Sequence, residues 1–262
     1  KMTHKMQRRY LIEELLKENR QYSGMKIPTD ENEQKDLLRA LMNVRLPKAV
    51  PPRFLEIQDE YLQEEMRRGA LVDADSLPPV SRDCRIALWQ GDMTTLRVDA
   101  IVNPANSGMC GCFQPLHNCL DNIIHSKSGI GLRLYCADMM KKQGHEEPTG
   151  QAKITPGFNL PCKYIIHTVG PIIYDRVRQE DEQLLASCYR SCLKLADENG
   201  VRSIALCCIS TGVFRFPNER AAEIAIQTVR EYLNGDTGIR KVIFNVFKDI
   251  DKEIYTKLLG TG

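Results

Sequence analysis

Leu11, Leu15 and Leu16 begin a series of apolar positions spaced three or four residues apart. It continues through Leu37, Leu38, Leu41 and Met42, then Leu55, Ile57, Tyr61, Leu62 and Met66. That period puts one apolar face on each of about three helices within residues 10–68. Prolines divide them: Pro28, then Pro47, Pro51 and Pro52, cannot sit inside helical backbone, and Pro78 and Pro79 close the segment near residues 78–83. A helical N-terminal extension over residues 1–80 and a second domain over residues 81–262 are predicted.

After the prolines the period changes. Short β-rich apolar runs at 86–89, 100–102, 164–169, 204–208 and 242–246 alternate with helical stretches at 121–142, 182–198 and 218–233. Alternation of this kind predicts an α/β fold, a largely parallel sheet with helices on both faces. Ligands meet such sheets beyond the carboxyl ends of the strands, so the loops after those runs are the candidate site.

Composition narrows the function classes. With 262 residues, 42% of them hydrophobic, the chain can bury a substantial core. Its 36 basic and 34 acidic residues are interspersed for a net charge of +2, with no polybasic block, so no nucleic-acid partner is expected. No apolar run approaches the roughly 18 to 20 residues needed to cross a bilayer. The start, KMTHKMQRRYLIEELLKENRQ, lacks the apolar run of a secretion signal, so a cytoplasmic location and no membrane partner are expected. The ten cysteines are then expected to remain thiols or to bind metal.

Three loops carry the candidate chemistry. Gly91-Asp92-Met93-Thr94 follows the first run and, taken singly, reads as a helix cap. Asn103-Pro104-Ala105-Asn106-Ser107-Gly108 follows the second, where asparagines also suit a plain turn. Ser210-Thr211-Gly212-Val213-Phe214 leads into a helix near Pro217, and a small-residue turn with free N–H groups at a helix start suits a phosphate. A fourth stretch reads Met109-Cys110-Gly111-Cys112-Phe113-Gln114-Pro115-Leu116-His117-Asn118-Cys119. Cys112, His117 and Cys119 are two thiols and an imidazole, the donor set zinc prefers, and three ligands leave one coordination position open. Chance burial of cysteines is one alternative. Closure of a structural site by Cys110 as a fourth ligand is another. His125 is either a further ligand or a satisfied helical histidine.

In their joint order, GDMTTLRVDAIVNPAN at 91–106 and CCISTGVFRFP at 207–217 resemble the macrodomain family over about residues 83–259. The resemblance implies a three-layer α/β/α macrodomain with a largely parallel mixed sheet, and binding of ADP-ribose. It makes Asp92 the acceptor for the adenine amino group, with the Met93 backbone beside it, and turns Asn106 toward the distal ribose. The backbone of Ser210, Thr211, Gly212, Val213 and Phe214 would wrap the pyrophosphate, Gly212 permitting close approach and Phe214 packing on the distal ribose. Phe247 is either the aromatic face for adenine or a core residue.

The string GMCGCFQPLHNCLDNIIH at 108–125 replaces the glycine run and acid of ordinary hydrolytic macrodomains. With the helical extension, it resembles the zinc-dependent subclass of that family. This implies a zinc-dependent hydrolase that removes mono-ADP-ribose from proteins, with Asn106, Cys112, His117, Cys119 and Asp121 as the catalytic group. A lipoylated carrier protein modified by a sirtuin-type ADP-ribosyltransferase is the implied partner. Zn2+ would either activate water or fix a ribose hydroxyl. Asp121 and Asn122 stand as partners orienting His117, with Asp121 alternatively a base, or as caps of the next helix. His145, His167 and Trp89 are expected to serve core or surface. Two other functions stay open: a non-catalytic reader of ADP-ribosylated proteins with structural zinc, and an O-acetyl-ADP-ribose deacetylase.

Overall fold

A computed structural model describes residues 1–260. The extension folds as α1 (His4–Lys17), α2 (Glu31–Val44) and α3 (Pro52–Arg68). Each start has a local cause: Thr3 accepts the Met6 N–H, Asp30 accepts the Glu33 N–H, and Pro52 occupies the first helical position, where no N–H is needed. α1 begins at His4, seven residues before Leu11 opens the apolar period, because part of its inner face is polar. Gln7 and Arg8 are buried there, and Arg8 Nε donates to Gln34 Oε1 at 3.0 Å. Leu11, Ile12, Leu15, Leu38, Leu41, Met42, Phe54, Ile57 and Tyr61 form the core of this layer, and Ile130 from beyond the sheet's first strands joins it.

The segment after α3 enters the sheet. β1 (Val72–Asp73) pairs in parallel with the start of β4 (Leu96–Pro104), and β2 (Pro79–Val80) pairs antiparallel with β3 (Asp83–Gln90). Next come α4 (Leu120–Ser128), α5 (Ile130–Gln143), β5 (Ala152–Pro156), β6 (Cys162–Thr168) and α6 (Gln179–Glu198). β7 (Ser203–Leu206), α7 (Asn218–Leu233), β8 (Lys241–Val246) and α8 (Asp249–Leu259) complete the chain. The eight-stranded sheet runs β2-β3-β8-β7-β4-β6-β5, with β1 beside β4. Pairs β3–β8, β8–β7, β7–β4 and β4–β6 are all parallel, and only the edges β2 and β5 run the other way. Ala100, Ile101, Val102 and Asn103 are consecutively buried in β4, as are all but the first residues of β7 and β8. Consecutive burial along a strand means that helices cover both faces.

Three features departed from the periodicity. The helical stretch 121–142 is broken at Gly129, whose φ of 98° and close approach to Gln58 exclude a side chain. β5, with Lys153 and Thr155 among five residues, carries too little apolar signal to stand out, and α8 follows β8 directly.

One buried polar group has a measurable consequence. His167 on β6 is fully buried, with Nε2 2.9 Å from Thr155 Oγ1 and Nδ1 3.0 Å from Asn103 Nδ2. The Thr155 hydroxyl donates to the Pro156 carbonyl, so its oxygen accepts the Nε2 proton and Nδ1 accepts from Asn103. Burial pushes His167 from its ordinary 6.5 down to about 3. The unfolded chain therefore binds a proton that the folded one refuses, and stability falls as pH drops from 6.5 toward 3. Thermal melts of wild type are expected to lose a few kcal/mol over that window, on the order of 1.4 kcal/mol per pH unit. His167→Gln should flatten part of the slope, and an unchanged slope would exclude this residue as its source.

Candidate functional site

The parallel order β3-β8-β7-β4 sets four strand ends side by side, so the loops that follow them form one row along the carboxyl edge of the sheet. Gly91 and Asp92 follow β3, Phe247 follows β8, residues 207–214 follow β7, and residues 105–119 follow β4.

At the β3 end, the Gly91 N–H donates to the Val246 carbonyl at 3.0 Å. A Cβ on Gly91 would lie 2.3 Å from Cζ2 of Trp89, so the indole covers this turn, a duty the sequence did not disclose. Asp92 caps the short helical turn Met93–Thr95: its Oδ1 accepts Thr94 N at 2.9 Å and Thr94 Oγ1 at 2.6 Å. Its Oδ2 accepts Lys127 Nζ of α4 at 2.8 Å. Partial burial raises the Asp92 carboxyl, but the hydrogen bonds from Lys127 and Thr94 outweigh it and hold the group below the usual range. Met93 is buried, while its backbone adjoins this acid. Phe247 is 77% exposed beside β3, its carbonyl accepting Gln90 Nε2, so the alternative of a core residue is excluded.

The loop after β7 is compact and strained. Ser210 has φ 66°, and its buried hydroxyl has no partner among the described residues. Gly170 lies beneath it, and a Cβ there would fall 2.0 Å from Ser210 Oγ. Arg215 N–H donates to the Gly212 carbonyl, Phe216 N–H to Ser210, and Ile173 N–H to Phe214, which closes the turn and ties it to the chain after β6. Among the described residues, the N–H groups of Gly212, Val213 and Phe214 have no acceptor. Thr211 is instead folded back, its hydroxyl donating to the Cys208 carbonyl. Consecutive unpaired N–H groups make an anion cradle. Gly212 serves it through space rather than conformation: its φ is ordinary, and an added Cβ would meet nothing within 4 Å.

After β4, Asn106 closes its own loop. Its Oδ1 accepts the N–H groups of Gly108 and Met109, and its Nδ2 donates to the Gly111 carbonyl at 3.0 Å. Met109, Gly111 and Leu116 all have positive φ, at 63°, 89° and 59°. This chain path gathers Cys112, His117 and Cys119, whose donor atoms lie within 4.8 Å of one another and are each partly exposed. Cys112 Sγ stands 3.7 Å from His117 Nδ1. Cys110 does not belong to the group among the described residues, and burial raises its thiol. Cys119 is the N-cap of α4, its sulfur accepting the Asn122 N–H at 3.4 Å. Burial pushes the Cys119 thiol up to about 12, with Cys112 beside it adding to the rise. Two thiols and an imidazole converging beside a Cys119 sulfur whose free thiolate burial disfavours fit a divalent cation of borderline softness, whose charge stabilises the deprotonated ligand.

The neighbours divide differently from expectation. Asp121 is buried, accepts Asn103 Nδ2 at 2.9 Å and lies 3.6 Å from His125 Nε2, with no hydrogen bond to His117. Burial raises its carboxyl to about 6, against the pull of the Asn103 hydrogen bond. Asp121 thus makes no hydrogen bond to the ring it was expected to orient, and Cys119 rather than Asp121 caps the helix. Asn122 supports the loop, donating to the Gln114 carbonyl at 2.9 Å. His125 lies outside the Cys112–His117–Cys119 group, buried against Gly111, and neither ring nitrogen has a hydrogen bond among the described residues. Burial keeps it neutral. His145 is on the surface. Lys127 and Gly170 were missed by the sequence reading, and of the two only Gly170, in a Gly-Pro step after a strand, carried any local signal.

A family profile described as Macro domain matches residues 102–225. A Treponema medium protein named Protein-ADP-ribose hydrolase is 56% identical over 99% of this chain and 100% of its own length. A protein of the same name from Staphylococcus aureus (strain MSSA476) is 46% identical over 97% and 95%. A Fusarium oxysporum f. sp. cubense protein named Probable bifunctional ADP-ribose hydrolase/ADP-ribosyltransferase is 43% identical over 86% of this chain and 40% of its own length. Among solved structures, the Trypanosoma brucei macrodomain in complex with ADP-ribose superposes with a TM-score of 0.67 at 31% identity, covering 84% of this chain and 95% of that one. The Oceanobacillus iheyensis macrodomain with ADP gives 0.61 at 38%, covering 67% and 90%.

Proposed function

This chain belongs to the macro domain family, and from that premise we propose that it binds ADP-ribose and hydrolytically releases mono-ADP-ribose from modified proteins. The observation that carries the reading is the row of loops: an acid, an unpaired N–H cradle and a Cys/His/Cys group, in that order along one sheet edge. An adenosine at the Asp92 end, a diphosphate over Gly212, Val213 and Phe214, and a ribose beside the β4 loop follow the same order.

The reaction forms a bond from water oxygen to the anomeric carbon of the distal ribose and breaks that carbon's bond to a side-chain carboxylate oxygen. Free ADP-ribose and an unmodified carboxyl group result. Positive charge builds on the sugar in the transition state, as in other glycosyl hydrolyses. Asp92 and the Met93 backbone would receive the adenine, with the exposed Phe247 ring against its face. The 210–214 loop would hold the diphosphate, while Asn106 and Phe214 border the distal ribose. Contacts remote from the reacting carbon thus position it, converting binding energy into orientation. Zinc held by Cys112, His117 and Cys119 would supply Lewis acidity, either to acidify a water or to fix a ribose hydroxyl.

The proposed substrates are proteins modified by a sirtuin-type ADP-ribosyltransferase, a lipoylated carrier being the one the resemblance implies. The Fusarium relative, named for both activities, supports a link between hydrolase and transferase.

Turnover on a mono-ADP-ribosylated protein tests the proposal. Catalytic release of ADP-ribose is expected, whereas binding without release would identify a reader, and a preference for O-acetyl-ADP-ribose would identify a deacetylase. Asp92→Ala should raise the calorimetric Kd for ADP-ribose about tenfold, the value of one hydrogen bond to a charged group. An unchanged Kd would remove Asp92 from the adenine end.

A further inference from the structure

The stretch from Met109 to Cys119 contains no helix or strand, and most of its backbone polar groups must be satisfied from outside. The partners come from α2, α4 and α5. Asn122 of α4 donates to the Gln114 carbonyl, and Arg133 of α5 donates to the Cys110 carbonyl at 2.7 Å and the Cys112 carbonyl at 3.2 Å. The same guanidinium lies 3.8 Å from the Phe113 ring centroid. It also donates to the carbonyls of Met42, Asn43 and Arg45, at the open end of α2, so one side chain joins the metal loop to the extension.

The contacts nearest His117 come from the extension itself. Arg39 Nη2 donates to the His117 carbonyl at 2.7 Å and to Asn122 Oδ1 at 2.9 Å, and Arg39 Nε donates to Ser126 Oγ at 3.2 Å. Asn43 Oδ1 accepts the Leu116 N–H at 2.9 Å, and its Nδ2 donates to the same Ser126 hydroxyl at 2.9 Å. Leu116 is a non-glycine residue at φ 59°. Such a conformation persists only where the surroundings over-determine it. Here the N–H of Leu116 and the carbonyl of His117 are each held by a side chain one helical turn apart on α2.

We infer that Arg39 and Asn43 of the helical extension are positioning residues for the metal site, fixing the Leu116–His117 backbone so that the His117 imidazole meets Cys112 and Cys119. The extension is then part of the site's architecture and not a separate module beside it. This rests on the metal-site reading above. Asn43 acts as an acceptor for Leu116, and Arg39 acts as a planar fork whose nitrogens reach His117, Asn122 and Ser126 together, which lysine cannot reproduce.

The test strips metal from the full chain and titrates it back with zinc against a chelating indicator, and with cobalt(II) while recording the thiolate-to-metal absorption. Arg39→Met and Asn43→Leu should each bind both metals about 10- to 100-fold more weakly, the usual effect of residues that orient a metal ligand. The cobalt spectrum should change, while ADP-ribose affinity of the metal-free protein stays near wild type. Asn43→Asp, which keeps the acceptor for Leu116, should restore most of the metal affinity. Wild-type metal affinity in both variants overturns the inference. So does parallel loss of ADP-ribose affinity and melting temperature, since that marks a general scaffold. If wild type itself takes up neither metal, the metal-site reading fails instead.

Discussion

Cys112→Ala and His117→Ala are each expected to abolish release of ADP-ribose while ADP-ribose still binds. Both side chains are partly exposed and stand 3.7 Å apart beside Cys119, so neither substitution opens a core cavity. Cys119 is the poorer choice, because its sulfur caps α4 and its loss would cost helix stability as well. Turnover should fall by about 10²–10⁴-fold, the range for removing the means of activating a reacting water. The contacts proposed for the adenosine and the diphosphate follow β3, β8 and β7, away from these substitutions, so calorimetric affinity should change little. Metal analysis should show the bound ion lost in parallel with turnover. Retained turnover in a variant shown to be metal-free would remove the Cys/His/Cys group from the chemistry.

Gly212→Val tests the other half of the site. Steric space around Gly212 is open and its backbone conformation is ordinary, so a valine should leave thermal stability within about 0.5 kcal/mol of wild type. The added isopropyl group is expected to crowd the unpaired N–H groups of residues 212–214. A diphosphate could then no longer approach them, and ADP-ribose affinity should fall about 100-fold, or about 2.7 kcal/mol. Gly170→Ala is the contrasting case: its Cβ would collide with Ser210 Oγ, so stability and binding would drop together. Unchanged affinity in Gly212→Val would move the diphosphate away from this loop.

The alternation of apolar runs and helical stretches was enough to recover the α/β architecture, because strands buried on both faces stand out as short continuous apolar segments. The three helices of the extension were legible for the same reason, with prolines at their borders, although the polar face of α1 concealed where that helix begins. The Cys/His/Cys spacing was legible because metal ligands are chemically rare types set close together in one loop, and the fold does bring their donor atoms together.

Side-chain partnerships across the fold were not legible in this way. Asp121 looked like a partner for His117 because it is near in sequence, yet the turn at Cys119 directs it inward to Asn103. Asn106 and Asp92, expected to face ligand, make hydrogen bonds within the chain that no motif announces. Arg39 and Asn43 lie more than seventy residues from the backbone they hold. Periodicity and ligand chemistry are local properties, written in residues a few positions apart. The row of loops depends on strand order, and the bracing of the 109–119 loop depends on how α2 meets α4; both are long-range packing outcomes that no short window of sequence contains.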